Sequence, residues 1–383
     1  AAAAVARGNV PRPNVLYIVS DDLRAELPGA AYGHSTVHAP NLEALAAESL
    51  VFDAAYCNQP VCSPSRNSFL SGRRPSTTQI WNFEGSFRDS AMSGATWVTL
   101  PGHFKDNGYL ALGTGKLFHP AHPVNGDGNL SWSSATFTCA GQAVGGAGTY
   151  CEPNAASCAG CAGCSAPNPR WCTVKAPLNG TGSQPPLADA ETLADARSKL
   201  QFAFRNLERT RQPFFVGVGL HLPHLEWQVP EGWLAKYPPT EQIAIAKHRA
   251  AQAGRPPVSI HCPYQSADYE ARWRGWGYTS PWQPMHNSSA REMRKFYWAS
   301  ISFMDYVVGE VLGEVETAGL TNSTIVVFHS DHGWSLGENG EWKKFALTEV
   351  GTRVPLMIKV PSMPASQGRR TKALVELVDV MPT

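Results

Sequence analysis

Four apolar runs of this 383-residue chain read as buried β-strands, and each empties directly into residues that titrate. The run NVLYIVS at 14–20 ends in Asp21 and Asp22, and residues 109–113 lead to Lys116 and His119. Residues 214–220 lead to His221 and His224, and residues 323–328 to Asp331 and His332. Helical patterns lie between them: 41–50, with Leu42, Leu45 and Leu50 toward one face; 100–107, before Gly108; 188–209; and 290–318, before Gly319. Strand–helix alternation of this kind predicts an α/β chain with a mainly parallel central sheet flanked by helices. In such sheets ligands bind in the crevice beyond the carboxyl ends of the strands. Four strand ends bearing carboxylates, a lysine and imidazoles therefore predict one active-site edge. Further strands are expected at 51–55 and 354–360, and a helix starting at Thr371.

The length suits one large α/β domain with surface elaboration. Residues 121–187 are rich in Gly, Pro, Ser and Cys without a sustained period, which predicts a loop insertion. A second irregular stretch, about 230–287, is rich in Trp, Tyr and Pro; its aromatic residues are expected to fill core more than to stack on sugar rings. Lys plus Arg number 32 against 31 Asp plus Glu, so nothing in the charge favours nucleic acid. No apolar run is long enough to predict a membrane span. Four glycosylation sequons, at Asn129, Asn179, Asn287 and Asn322, and nine cysteines point to an oxidising compartment. Cys158, Cys161 and Cys164 have the spacing of a zinc knuckle. With Gly, Ala and Asn around them and no His within the group, they read better as part of a disulfide-stapled loop that also holds Cys139, Cys151 and Cys172.

The most informative stretch is Cys62-Ser63-Pro64-Ser65-Arg66, followed by Leu70-Ser71-Gly72-Arg73. Pro64 marks a helix start, where free N–H groups and the dipole favour an anion. Arg66, one turn on, offers a fork of donors suited to sulfate or phosphate. A lone cysteine in that setting would read as structural. C-x-P-S-R with a downstream L-x-G-R, however, resembles the sulfatase signature. VSDDLR, GKLFHP, LHLPH and SDHGWSLGENGEW extend the resemblance along nearly the whole chain, toward the iduronate-2-sulfatase branch.

That resemblance implies an alkaline-phosphatase-like fold and hydrolysis of sulfate esters. It implies that Cys62 is converted by a formylglycine-generating enzyme into formylglycine, whose hydrate has one hydroxyl to attack sulfur and a second whose deprotonation expels sulfate. It places a calcium ion among Asp21, Asp22, Asp331, His332 and the modified Cys62, hard carboxylates suiting such a cation. Lys116 and His119 would neutralise the ester and hold a diol hydroxyl. His224 would serve the leaving-group oxygen, with His221 structural. Lys344 would stand beside the bridging oxygen, with Lys343 its neighbouring competitor. Of the disulfides, Cys139 with Cys172 and Cys57 with Cys262 are expected, and Cys151, Cys158, Cys161 and Cys164 pair among themselves in an unfixed order. The chain reads as a sulfatase catalytic domain over 1–383 without the family's C-terminal subdomain, from a secreted or lysosomal enzyme. Leu222 stands where the iduronate branch has lysine, which argues against a uronate substrate. A phosphate or phosphonate ester hydrolase on the same scaffold, or a silent sulfoglycan-binding relative, are the competing readings.

Overall fold

The computed structural model describes residues 12–33, 36–89, 94–120, 122–133, 171–174, 187–230, 232–260, 274 and 276–383. In chain order the strands are β1 (Asn14–Ser20), β2 (Leu50–Tyr56), β3 (Leu110–Gly115), β4 (Trp171–Val174), β5 (Phe214–Gly219) and β6 (Trp227–Pro230). They continue as β7 (Thr324–Ser330), β8 (Ser335–Leu336), β9 (Trp342–Lys343), β10 (Leu356–Lys359) and β11 (Arg369–Glu376). Seven form one sheet in the order β11-β2-β10-β7-β1-β5-β3. Every pairing in it is parallel except those of β10, which runs antiparallel to β2 and β7. The α/β class with a mainly parallel sheet is therefore the observed one.

The two-residue period of a strand explains why β1 is apolar throughout. Leu16 and Ile18 face one core, while Val15, Tyr17 and Val19 face the other. The first core is closed by the helices Ala188–Thr210 and Asn287–Thr317, through Leu193, Leu200, Val307 and Val311. The second is closed by the helices Cys62–Ser71 and Leu100–Asp106, through Phe69, Leu70 and Leu100. Each large aliphatic side chain sealed this way contributes about 1.5–3 kcal/mol. A centre strand covered on both faces has nowhere to place polar groups except its ends, so Asp21 and Asp22 begin where β1 stops.

Three expectations are corrected. Residues 369–376 form the strand β11, not a helix from Thr371, because they pair in parallel with β2 along the sheet edge, with an irregularity between Thr371 and Leu374. The 121–187 region is not all loop: a helical turn occupies Gly128–Ser131, and β4 pairs in parallel with β6. Cys57 is a buried free thiol and so does not form the expected bond to Cys262. Its Sγ lies 3.9 Å from the carbonyl of Gly351, and the residue belongs to an apolar cluster with Phe69, Val354 and Leu377. There it behaves as a small hydrophobe. Cys139, Cys151, Cys158, Cys161, Cys164 and Cys262 lie outside the described residues, as does Asn179, and the pairings expected among those cysteines lie there too. Among the described residues no helix is long and apolar enough to cross a membrane.

Candidate active site

The helix Cys62–Ser71 begins at the carboxyl edge of the sheet and is buried along its whole length. Pro64 fits its first turn, where a missing N–H leaves nothing unpaired. Gly72 ends it in the left-handed conformation, φ 65°. Cys62 opens the helix with no solvent exposure. Its Sγ lies 3.0 Å from Lys344 Nζ, 3.2 Å from His332 Nε2, 3.4 Å from Asp21 Oδ1 and 4.0 Å from Lys116 Nζ. Strand ends distant in sequence thus meet at one sulfur.

Each delivery has a local cause. Lys116 follows Gly115, whose φ is +67° and whose Cβ, if present, would lie 2.0 Å from the carbonyl oxygen of Gly219. Only glycine lets β3 turn that closely against β5 and send the lysine inward, where it pairs with Asp21. Asp22 adopts φ 61°, a left-handed conformation that Asp tolerates better than most residues. The Tyr297 hydroxyl holds it there, donating to the Asp22 carbonyl at 2.8 Å and accepting from Arg24 N–H at 3.1 Å. Lys344 comes from the turn after β9, whereas Lys343 is within that strand, paired with Ser335. Lys344 Nζ, the expected one of the two lysines, lies 3.0 Å from both Cys62 Sγ and His224 Nε2.

Arg66, one turn on in the same helix, is fully buried. Its Nε donates to Asp331 Oδ2 at 2.9 Å, its Nη1 reaches the carbonyls of Lys116 and Leu117, and its Nη2 is 3.6 Å from Asp21 Oδ1. Asp331 is occupied as an organiser: Oδ1 accepts from the amides of Asp22 (3.1 Å) and His332 (2.8 Å), and Ser65 Oγ donates to its carbonyl at 2.5 Å. The side chains whose donor atoms converge as a possible metal site are Asp21, Asp22, Cys62 and His332, and Asp331 Oδ2 lies 3.7 Å from His332 Nε2 beside them. Within that set Asp22 Oδ2 is buried without a hydrogen-bond partner. His332 Nδ1 lies 2.8 Å from the carbonyl of Gly333, which requires the proton there and leaves the Nε2 lone pair facing Cys62 and Asp22. A carboxylate oxygen without a partner and an imidazole nitrogen within one cluster of donor atoms are what a cation needs.

Electrostatics separate the two adjacent aspartates. Burial pushes Asp21 up, but Lys116, His224, Arg66 and Lys344 together outweigh it and hold its carboxyl well below the usual range. For Asp22 burial prevails, helped by the charge of Asp21, and its carboxyl sits well above that range despite Lys344 and His332. Burial also raises the Cys62 thiol to about 11, with Asp21 adding to the shift and Lys116 and Lys344 opposing it. His119 goes the other way, lowered to about 2 by burial and by Lys116 and Lys344. It stands half-buried at the rim, Nδ1 3.2 Å from the carbonyl of Pro120. His224 is held well below its usual value by burial, Lys116 and Lys344, and its Nε2 accepts from Lys344 at 3.0 Å. His221 is anchored to the carbonyl of Leu225 at 3.2 Å, although its ligand atom lies within 4.8 Å of those of Asp21 and His224. Leu222, between them, packs into the core.

Sequence reasoning missed Tyr297, Ser65 and Phe83. Tyr297 lies in the middle of an apolar helix stripe, where a tyrosine looks like core. Ser65 was read only as a letter of the signature. Phe83, whose ring centroid is 5.1 Å from that of His119 and 5.8 Å from Lys344 Nζ, belongs to no motif.

A buried cysteine at a helix start, ringed by carboxylates, lysines and histidines at the carboxyl edge of such a sheet, defines an anionic-ester hydrolase class of site. A sequence model of the sulfatase family matches residues 13–383, and the chain belongs to that family of sulfuric ester hydrolases. It is 34% identical to human iduronate 2-sulfatase over 97% of this chain and 68% of that protein, so it spans about two thirds of its relative's length. Among solved structures, a 2-O GAG sulfatase superposes with TM-score 0.63 at 18% identity, over 97% of this chain and 69% of the other. The phosphonate monoester hydrolase of Agrobacterium radiobacter gives 0.63 at 19% identity, over 97% of this chain and 73% of the other. At those identities both share the fold.

Proposed function

We propose that the chain hydrolyses O-sulfate esters with formylglycine formed from Cys62 and a calcium ion held by Asp21, Asp22 and His332, with Asp331 close behind. The observation that carries this reading is the convergence of Lys344 Nζ, His332 Nε2 and Asp21 Oδ1 within 3.4 Å of Cys62 Sγ, at the head of the helix that carries the C-x-P-S-R signature. Formylglycine, once hydrated, supplies a hydroxyl nucleophile and a second hydroxyl whose deprotonation releases sulfate. Calcium, where bound, supplies polarisation of the sulfate oxygens, and the hard carboxylates favour it over zinc.

The chain's own residues do the rest. With all three ionised, Asp21, Asp22 and Asp331 balance Arg66, Lys116 and Lys344, so one added divalent cation would leave the centre net positive toward an anionic ester. Lys116 and Lys344 flank the reacting position and neutralise the sulfate. His119, kept unprotonated, has Nε2 available to take a proton from the diol. His224 stays within reach of the leaving oxygen through Lys344. Asn129, Asn287 and Asn322 are exposed, which supports a glycosylated protein of the secretory pathway, extracellular or lysosomal.

The substrate is a sulfated carbohydrate or aryl sulfate. Since Leu222 faces the core, it offers no cation to a uronate carboxylate, and action on 2-O-sulfated iduronate is expected to be weak or absent. Mass analysis of the Cys62 peptide, with assays on an aryl sulfate and the matching aryl phosphate, tests the reading. An aldehyde at Cys62 and preference for the sulfate are expected. A fully active protein with an intact thiol, or preference for the phosphate, would replace it with the phosphoesterase reading.

A further inference from the structure

An aromatic wall stands at the rim of the site. Phe83 is 39% exposed, yet its ring touches two of the groups that face the ester. Its centroid lies 5.1 Å from that of His119 and 5.8 Å from Lys344 Nζ, and the Phe345 ring meets it edge-on at 6.2 Å. A phenylalanine half in water beside two cation-bearing or imidazole side chains contributes little to the core. Solvating those groups would be easier without it.

The loop that carries Phe83 is fixed to the machinery. Asn67, on the helix that begins with Cys62, accepts from the Phe87 amide at 3.1 Å, and Phe87 is fully buried. Asn82 accepts from the Glu84 amide at 2.8 Å and Asp89 from the Ser86 amide at 2.6 Å, closing tight turns on both sides. Phe83 is thus held in register with Cys62 through one helix. Pre-organisation of this kind saves the ordering cost of a mobile side chain.

We infer that Phe83 is a specificity-determining residue: its exposed face packs against the alcohol portion of the substrate and selects sulfate esters whose leaving group is a flat ring, aromatic or saturated with an apolar C–H face. The inference rests on the sulfate-ester reading above and sharpens it. Ring-on-ring and ring-on-CH contacts do not depend on charge, so Phe83 discriminates among alcohols while Lys116 and Lys344 hold the common sulfate.

The test compares two sulfonates that cannot be hydrolysed. Phenylmethanesulfonate replaces the bridging oxygen of phenyl sulfate by CH2, and ethanesulfonate does the same for methyl sulfate. Calorimetric titration of the metal-loaded protein is expected to show about tenfold tighter binding of the phenyl compound, the size of one good aromatic contact. Phe83→Ala should reduce that ratio to within about twofold while leaving ethanesulfonate unchanged, and Phe83→Trp should retain it. A wild-type ratio near one, or a ratio that survives Phe83→Ala, overturns the inference. So does equal weakening of both ligands, which would mean that Phe83 only supports His119 and Lys344. Turnover of an aryl sulfate is measured separately. Its absence would fail the functional reading, whereas the sulfonate ratio judges Phe83 by itself.

Discussion

Two buried thiols, five positions apart, occupy opposite kinds of surroundings. Cys57 follows β2 in an apolar cluster, its Sγ near one backbone carbonyl, and burial followed by the Asp331 charge drives its thiol up. Cys62 opens the next helix among two aspartates, two lysines and a histidine. Both are sealed from water, and burial is the largest influence on each. Only at Cys62 do lysines pull back against it. Burial alone produces an inert sulfur; burial with converging charges produces a site.

The largest expected effect divides the pair. Cys62→Ala should lose turnover on the order of 10⁴-fold or more while keeping the fold, because the reacting atom is gone. Cys57→Ala should keep turnover and lose about 1–2 kcal/mol of stability for a small cavity. Steady-state kinetics beside urea unfolding read both, and a Cys57 variant as dead as the Cys62 one would erase the distinction.

Next comes the metal. Asp21→Ala or Asp22→Ala should remove one equivalent of calcium in elemental analysis and reduce activity at least about 100-fold. Stoichiometric zinc in the wild type would contradict the assignment. Because burial holds Asp22 protonated well above the usual range, its proton competes with the cation, so calcium affinity should rise with pH. Titrations at several pH values check this slope, and Asp22→Asn should flatten it.

A smaller effect asks whether burial without countercharge acts on carboxyls as on Cys57. Asp189, 1% exposed, accepts from the amides of His221 and Leu222, yet burial raises its pKa to about 6 from 3.8. With the folded value raised, its contribution to stability is full below about pH 4 and is lost as pH rises through 6. The loss is on the order of 2–3 kcal/mol. The stability of wild type relative to Asp189→Asn should therefore decline by that amount between pH 4 and 7 in urea unfolding. A constant difference would mean that the two amides fully offset the burial.

Much of this contrast was legible in the chain. β1 and β5 are uninterrupted apolar runs, and their polar exits announced Asp21, Asp22, His221 and His224. Local pattern could not separate β11 from a helix, because its partner β2 lies some three hundred residues earlier and supplies the hydrogen bonds that decide the matter. Cysteine arithmetic paired Cys57 by elimination and had no access to the apolar cluster that receives it. Residue type suggested Asp331 as a ligand as readily as Asp21. Only the amides of Asp22 and His332 and the fork of Arg66 reveal how its oxygens are already engaged. Phe83 was invisible for a related reason: its value lies in which side chains it stands beside.

The position of β1 also sets a clock. It is hydrogen-bonded on one side to β5 and on the other to β7, so the sheet around Cys62 closes only after residue 330 has been made. At about 5–20 residues per second, a nascent chain holds Cys62 open for on the order of tens of seconds after that residue is synthesised. Once β7 docks, the cysteine lies in the first turn of a helix with every residue buried. Any catalyst that must grip the surrounding peptide to alter that sulfur works within this interval, and slower synthesis between residues 62 and 330 lengthens it without touching the site.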